Sequence, residues 1–209
     1  MHDLVIYGAS GMGRETAEMV RRINKRHRFW NFLGFVDDGG RKENLGGYEV
    51  LGGMKFIQDF DRSLDVVMAI ADPATKHRIY DTLKPCPHVH FPHVIDDTAI
   101  ISDRVNLGEG CIISAHCTLS VEISLGRCVF LNTGAHVGHD SSLGDFCSVM
   151  PSVDIAGGVT VGEDTLIGVG ASILQGRRIG ARSIVGMGAV VLANVPDGCT
   201  VLGNPARKF

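Results

Sequence analysis

The chain has 209 residues, 44% of them hydrophobic and 21% charged, which supplies a core and argues against disorder, a collagen-like repeat or a small disulfide scaffold. Twenty basic against 23 acidic residues leave a formal charge of -3, giving no electrostatic reason to expect a nucleic-acid or broad membrane-binding face. Glycine is in excess, 27 residues beside 6% aromatics, so the fold uses turns repeatedly.

The start, MHDLVIYGASG, has neither a basic n-region nor a cleavable apolar h-region, and the six cysteines contain no CxxC pair. A reduced, cytoplasmic setting is expected. No apolar run approaches the roughly 20 residues needed to cross a bilayer.

The apolar run LVIY at 4–7 leads into a glycine turn, GASGMG at 8–13, and then a helical period through Thr16, Met19, Val20 and Ile23. FLGFV at 32–36 completes a βαβ signal. VVMAIA at 66–71 ends at Asp72-Pro73 before the helix-like ATKHRIYDTL, and VHF at 89–91 supplies a further strand. These runs predict a small, open, parallel α/β sheet of Rossmann-like kind over residues 1–91, short for a full dinucleotide fold. The spacing of Gly8, Gly11 and Gly13 is not GxGxxG. The loop amides and the helix N-terminus can approach a phosphate without a Cβ clash, or the turn serves packing alone.

From Ile95 the rule changes. Aliphatic residues recur at every sixth position: Ile95, Ile101, Leu107, Ile113, Leu119, Leu125, Leu131, Val137, Leu143, Val149, Ile155, Val161, Ile167, Ile173, Ile179, Val185 and Val191. Glycine often follows, and the fourth place after the aliphatic is small or β-branched, as at Cys111, Cys117, Cys147 and Ala171. A six-residue unit fits a short strand plus a turn repeated around a β-helix, each aliphatic stacking on its counterparts in neighbouring coils. Cys111, Cys117 and Cys147 then read as inward structural thiols. The pattern is expected to stop after Val191.

Within the solenoid, VGHD at 137–140 holds the best reactive candidate. A histidine can take a proton near neutral pH, which makes His139 a general base. Asp140 can orient it only at a coil corner, because consecutive side chains on a flat strand point to opposite faces. The competing reading is a surface histidine in a polar turn. AGG at 156–158 permits close approach of a ligand to backbone.

The hexapeptide register resembles the left-handed parallel β-helix acyltransferases, in which three hexapeptides form a triangular coil and three subunits associate. GASGMG, GFVDD, NTGAHVGHD, AGGVTVG and GNPA, in that order, resemble the NeuD/PglD-like nucleotide-aminosugar acetyltransferases across both domains. The resemblance implies a sugar-nucleotide domain over 1–91 and, over 95–209, an acetyl-CoA-binding catalytic β-helix with a C-terminal tail. It assigns the acceptor to Gly8, Ser10, Gly11, Met12, Gly13, Asp37, Asp38 and Asn132. It makes His139 the base, Asp140 its carboxylate partner and the Gly157 amide the oxyanion donor. Coenzyme A is expected on the backbone of later coils, at Gly157 and Ala171, with Arg177, Arg178, Arg182, Arg207 and Lys208 as the available cations. A homotrimer with sites between subunits is implied, and no metal: His116, His136 and His139, spaced 20 and 3, do not match the zinc histidines of the related β-helix carbonic anhydrases.

Met12 departs from the histidine common in relatives' GxxGHG, Asp140 from the glutamate of some members, and Ser148 from a second histidine. Asp37-Asp38 also reads as a solvated turn, and Asn132 as a turn cap. The implied function is acetyl-CoA-dependent N-acetylation of a nucleotide-linked aminosugar by direct transfer, in bacterial surface-polysaccharide or glycan biosynthesis. The alternatives are O-acetylation of a sugar or small molecule and a noncatalytic β-helix scaffold.

Overall fold

The structure is a computed structural model that describes residues 1–39 and 47–209, and the counts and absences given below are for these residues. The chain divides into two compact units, one of residues 1–71 and 75–94, the other of residues 72–74 and 95–209.

In the first unit the order is β1 (His2–Tyr7), α1 (Gly11–His27), β2 (Trp30–Val36), β3 (Val50–Gly52), α2 (Met54–Gln58), β4 (Leu64–Met68), α3 (Pro73–Leu83) and β5 (Val89–His90). The strands are parallel and lie in the order β3-β2-β1-β4-β5. Leu4–Tyr7 and Leu64–Met68 are buried, as strands covered on both faces must be, and this is why they read as unbroken apolar runs. Chain direction across the sheet reverses beside β1, so the carboxyl ends of β1 and β4 flank a topological switch point. α1 buries Thr16, Ala17, Met19, Val20 and Ile23 and ends at Arg28, whose left-handed backbone (φ 52°) returns its N–H to Asn24 O. β3 and α2 were invisible to periodicity because each is shorter than two periods of its own pattern.

In the second unit a short strand recurs every six residues, and each pairs in parallel with the strand 18 residues on, as Thr118–Leu119 does with His136–Val137 and Asp154–Ile155 with Ser172–Ile173. Three hexapeptides therefore make one left-handed coil, and the coils build three sheets. Every aliphatic of the register from Ile113 to Val191 is buried. Ile95, Ile101 and Leu107 are half-buried, since their strands stand at or next to the start of the stack.

Two glycine positions in the hexad have different physical causes. The residue third after the aliphatic turns the corner with a left-handed backbone, glycine at Gly134 and Gly158 but His116 and Asp140 elsewhere (φ 59° each). The glycine directly after the aliphatic lies against the next coil: a Cβ on Gly138 would stand 2.6 Å from Gly157 N. Inside the corners, the small residues at the fourth place satisfy backbone carbonyls. Thr165 Oγ1 donates to Gly180 O at 2.9 Å, Ser183 Oγ to Pro196 O at 2.9 Å and Cys147 Sγ to Gly162 O at 3.1 Å.

The solenoid does not end at Val191. Val195 bridges to Ile179, and Thr200–Leu202 pairs in parallel with Ile184–Val185, 16 residues away instead of 18. The shortened last coil breaks the six-residue count while still burying Val195 and Val201, so the register hid it. Arg207–Lys208 then folds back antiparallel on Thr200–Leu202 and closes that edge with a charged strand.

Candidate active site

His139 and Asp140 lie in the corner after the strand His136–Val137. The left-handed backbone of Asp140 overturns the strand rule that adjacent side chains diverge, and His139 Nδ1 sits 2.7 Å from Asp140 Oδ2. An ionised carboxylate only accepts, so Nδ1 carries the proton and the lone pair is left on Nε2. Both side chains are more than half exposed, at 54% and 64%.

One coil later, Gly157 is buried beneath the imidazole: a Cβ there would stand 2.5 Å from His139 Nε2. Its N–H is not taken up by the ladder. Ala156 N–H goes to Ile173 O and Gly158 N–H to His139 O, so the amide between them is a donor beside the base. The corner thus offers a proton acceptor and a backbone N–H over a floor with no side chain.

In the first unit, GASGMG joins β1 to α1 at the switch point. Gly8 has φ +106°, and a Cβ there would meet Ala69 O at 2.6 Å; one on Gly13 would meet Gly8 O at 1.9 Å. A Cβ added to Gly11 would meet no neighbour within 4 Å. Ser10 is the N-cap of α1, but its side chain makes no capping bond, and the first turn holds no acidic residue. The first N–H groups of the helix are therefore left without a side-chain cap, an arrangement that suits an anion. Met12 is half-buried, and its carbonyl accepts from Thr16 Oγ1 at 2.9 Å.

Asp37 and Asp38 are engaged locally. Asp37 accepts from Ala9 N–H at 2.9 Å and Gly39 N–H at 2.8 Å, tying the glycine loop to the end of β2. Asp38 accepts from Met54 N–H at 2.8 Å and from the Tyr7 phenol, and it remains exposed. Burial and then the bond to Asp38 raise the Tyr7 pKa, keeping the phenol a donor. The pair is thus a built turn with one carboxylate held at the surface.

Residues 3–83 match the family profile of the PglD N-terminal domain. The chain is 34% identical to the GDP-perosamine N-acetyltransferase of Escherichia coli O157:H7 over 211 residues, covering 98% of this chain and 95% of that one. The chain belongs to the NeuD/PglD-like family of hexapeptide-repeat acetyltransferases. Among solved structures it is similar to PerB from Caulobacter crescentus in complex with CoA and GDP-perosamine (TM-score 0.91, 29% identity, 100% of this chain and 98% of that one). It is also similar to WeeI from Acinetobacter baumannii (TM-score 0.91, 32% identity, 100% of both chains).

Other residues expected to serve this NeuD/PglD-like chain fall in varied places. Asn132 is half-buried at the corner before the His136–Val137 strand, where its Oδ1 accepts Thr133 N–H at 2.7 Å, so it does cap a turn. Ala171 is fully buried, its N–H bonded to Gly168 O and its carbonyl to Asp154 N–H; the inward register leaves its side chain no surface for a ligand. Among the cations, Arg178 pairs with Asp197 at 3.5 Å and Arg182 with Glu163 at 3.1 Å, while Arg177 and Arg207 donate to the nearby carbonyls of Gln175 and Ala206. Lys208 is exposed on the closing strand. Ser148 is fully buried.

Cys111, Cys117 and Cys147 are buried, and desolvation pushes the Cys117 thiol up to about 11, a poor nucleophile. Among the described residues no group of three or more His, Cys, Asp or Glu is placed to share a metal ion, and no helix is long and apolar enough to cross a membrane.

One further pair is not evident from neighbouring residues in the sequence. His136 Nδ1 lies 2.7 Å from Asp154 Oδ1 on the next coil. The signal was available once the coil length is known, because the two occupy the same outward place 18 residues apart.

Proposed function

We propose that the chain transfers the acetyl group of acetyl-CoA to the amine of a nucleotide-linked aminosugar. The observation that carries this reading is the His139–Asp140 pair, with the lone pair of Nε2 directed away from the carboxylate and the Gly157 N–H beside it. In a ternary complex the amine nitrogen attacks the thioester carbonyl while His139 Nε2 takes its proton. The Gly157 N–H donates to the oxyanion of the tetrahedral intermediate, and collapse expels the coenzyme A thiolate, which recovers that proton from the imidazolium. Asp140 holds the tautomer and supports the charged ring.

The acceptor's phosphates are assigned to the N-terminal turn of α1 and its nucleoside to the neighbourhood of Asp38, with Ser10, Gly11 and Met12 alongside. Gly8, Gly13 and Asp37 build that surface rather than line it, and Asn132 offers its amide nitrogen to the sugar. Arg177, Arg178 and Arg207 are the proposed partners of the coenzyme A phosphates. The likeness to named perosamine N-acetyltransferases makes GDP-perosamine the first acceptor to try. A homotrimer with sites between subunits, working in the cytoplasm, completes the reading.

The test is steady-state kinetics with acetyl-CoA and a panel of GDP-, UDP- and dTDP-linked aminosugars, with products checked for amide against alkali-labile ester. Amide formation is expected, with kcat at least about a thousandfold lower in His139→Ala. An ester product, or unchanged turnover in His139→Ala, overturns the assignment.

A further inference from the structure

Three residues before His139 on the same coil, His136 stands in the outward place of its strand, bonded through Nδ1 to Asp154 on the next coil. Both side chains are exposed, at 45% and 65%. We propose that His136 is an acceptor-binding residue: its Nε2 takes a hydrogen bond from a hydroxyl of the sugar whose amine reacts at His139, with Asp154 as its positioning residue. This rests on the acetyltransferase reading above.

The chemistry repeats that of the catalytic pair. Asp154 only accepts, so the neutral ring carries its proton on Nδ1 and offers Nε2 as an acceptor. A sugar hydroxyl is the matching donor. Placement supports the same occupant. Extended backbone rises about 3.3 Å per residue, so the α-carbons of His136 and His139 lie within about 10 Å, a distance a substituted sugar ring spans. The His136–Asp154 pair also spans the same two coils as His139 and Gly157, since Asp154 and Gly157 are three apart on the next turn.

The rest of the column argues against a general surface role. The outward places of this sheet are Ile100, Thr118, His136, Asp154, Ser172 and Val190, so the titratable residues occur only at the two coils that carry His139 and Gly157. A bare cross-strand pair that served stability alone would leave the acceptor's KM unchanged.

The experiment compares His136→Leu, His136→Gln and Asp154→Ala with the wild type in the full chain, measuring kcat and KM for the acceptor and for acetyl-CoA. In His136→Leu the acceptor KM is expected to rise about tenfold, the upper end of the net worth of one hydrogen bond, with kcat within about threefold and the acetyl-CoA KM unchanged. His136→Gln, whose Oε1 can accept the same hydroxyl, should recover most of the loss, and Asp154→Ala should show an intermediate rise. An acceptor KM within about twofold of wild type in both His136→Leu and Asp154→Ala overturns the proposal, as does a kcat loss matching His139→Ala at unchanged KM. If His136→Leu does not fold, the Gln and Ala variants decide by the same criteria. Wild-type turnover with an unresponsive His136 defeats this inference alone, whereas absence of wild-type turnover with any acceptor defeats the acetyltransferase reading and this one with it.

Discussion

Asp140 faces the same way as its neighbour because its backbone is left-handed, at φ 59°. The adjacency of His139 and Asp140 was legible in VGHD, but their cooperation depended on a corner that the motif does not encode. Gly157 makes the complementary point. As part of AGG it suggested close approach, and the structure shows what approaches: the imidazole of His139, from the coil before. Gly157→Ala should therefore displace the ring. We expect kcat to fall about a hundredfold or more with little change in the circular-dichroism spectrum, read by steady-state kinetics on the folded variant. His136 and Asp154 were not legible at this scale, since nothing local in HV or DI ties one to the other.

At the scale of elements, the glycines of GASGMG separate by cause. Gly8 and Gly13 are required by the protein's own packing, because β1, α1 and the end of β4 meet there with no room for a Cβ, whereas Gly11 faces open space. Gly13→Ala should destabilise the first unit by about 3 kcal/mol or more through overpacking against Gly8 O. Gly11→Ala should leave the denaturation midpoint nearly unchanged and raise the acceptor KM severalfold, because it alters only the surface proposed to receive a phosphate at the helix terminus. Chemical denaturation and kinetics on the two variants check both. In the solenoid, Thr165 donates to Gly180 O inside a corner and receives Ser183 N–H at 3.4 Å. Thr165→Val keeps the shape but strands a buried carbonyl, a loss of about 1–3 kcal/mol that equilibrium unfolding would detect.

Over the whole chain, the solenoid's coils contact chiefly their sequence neighbours, so its stability accumulates coil by coil. If three copies complete the proposed site, assembly and activity are linked. Sedimentation should then give three times the 22.4 kDa chain mass, the thermal midpoint should rise with protein concentration, and specific activity should fall on dilution into the monomer range. A monomer of full specific activity would refute the shared site.

What the sequence determined by itself was the solenoid and the place of the proposed reactive corner, because each coil repeats one local rule and His139 is next to Asp140 in the chain. It also announced the parallel sheet through its buried strands. What only the tertiary structure decided were relations the chain order hides: the pairing of residues 18 apart, the shortened last coil that carries the fold past Val191, and the buried amide of Gly157 beneath His139. Stacking sets these, because a residue's partners across a coil are chosen by the circumference of the helix and not by its neighbours in sequence.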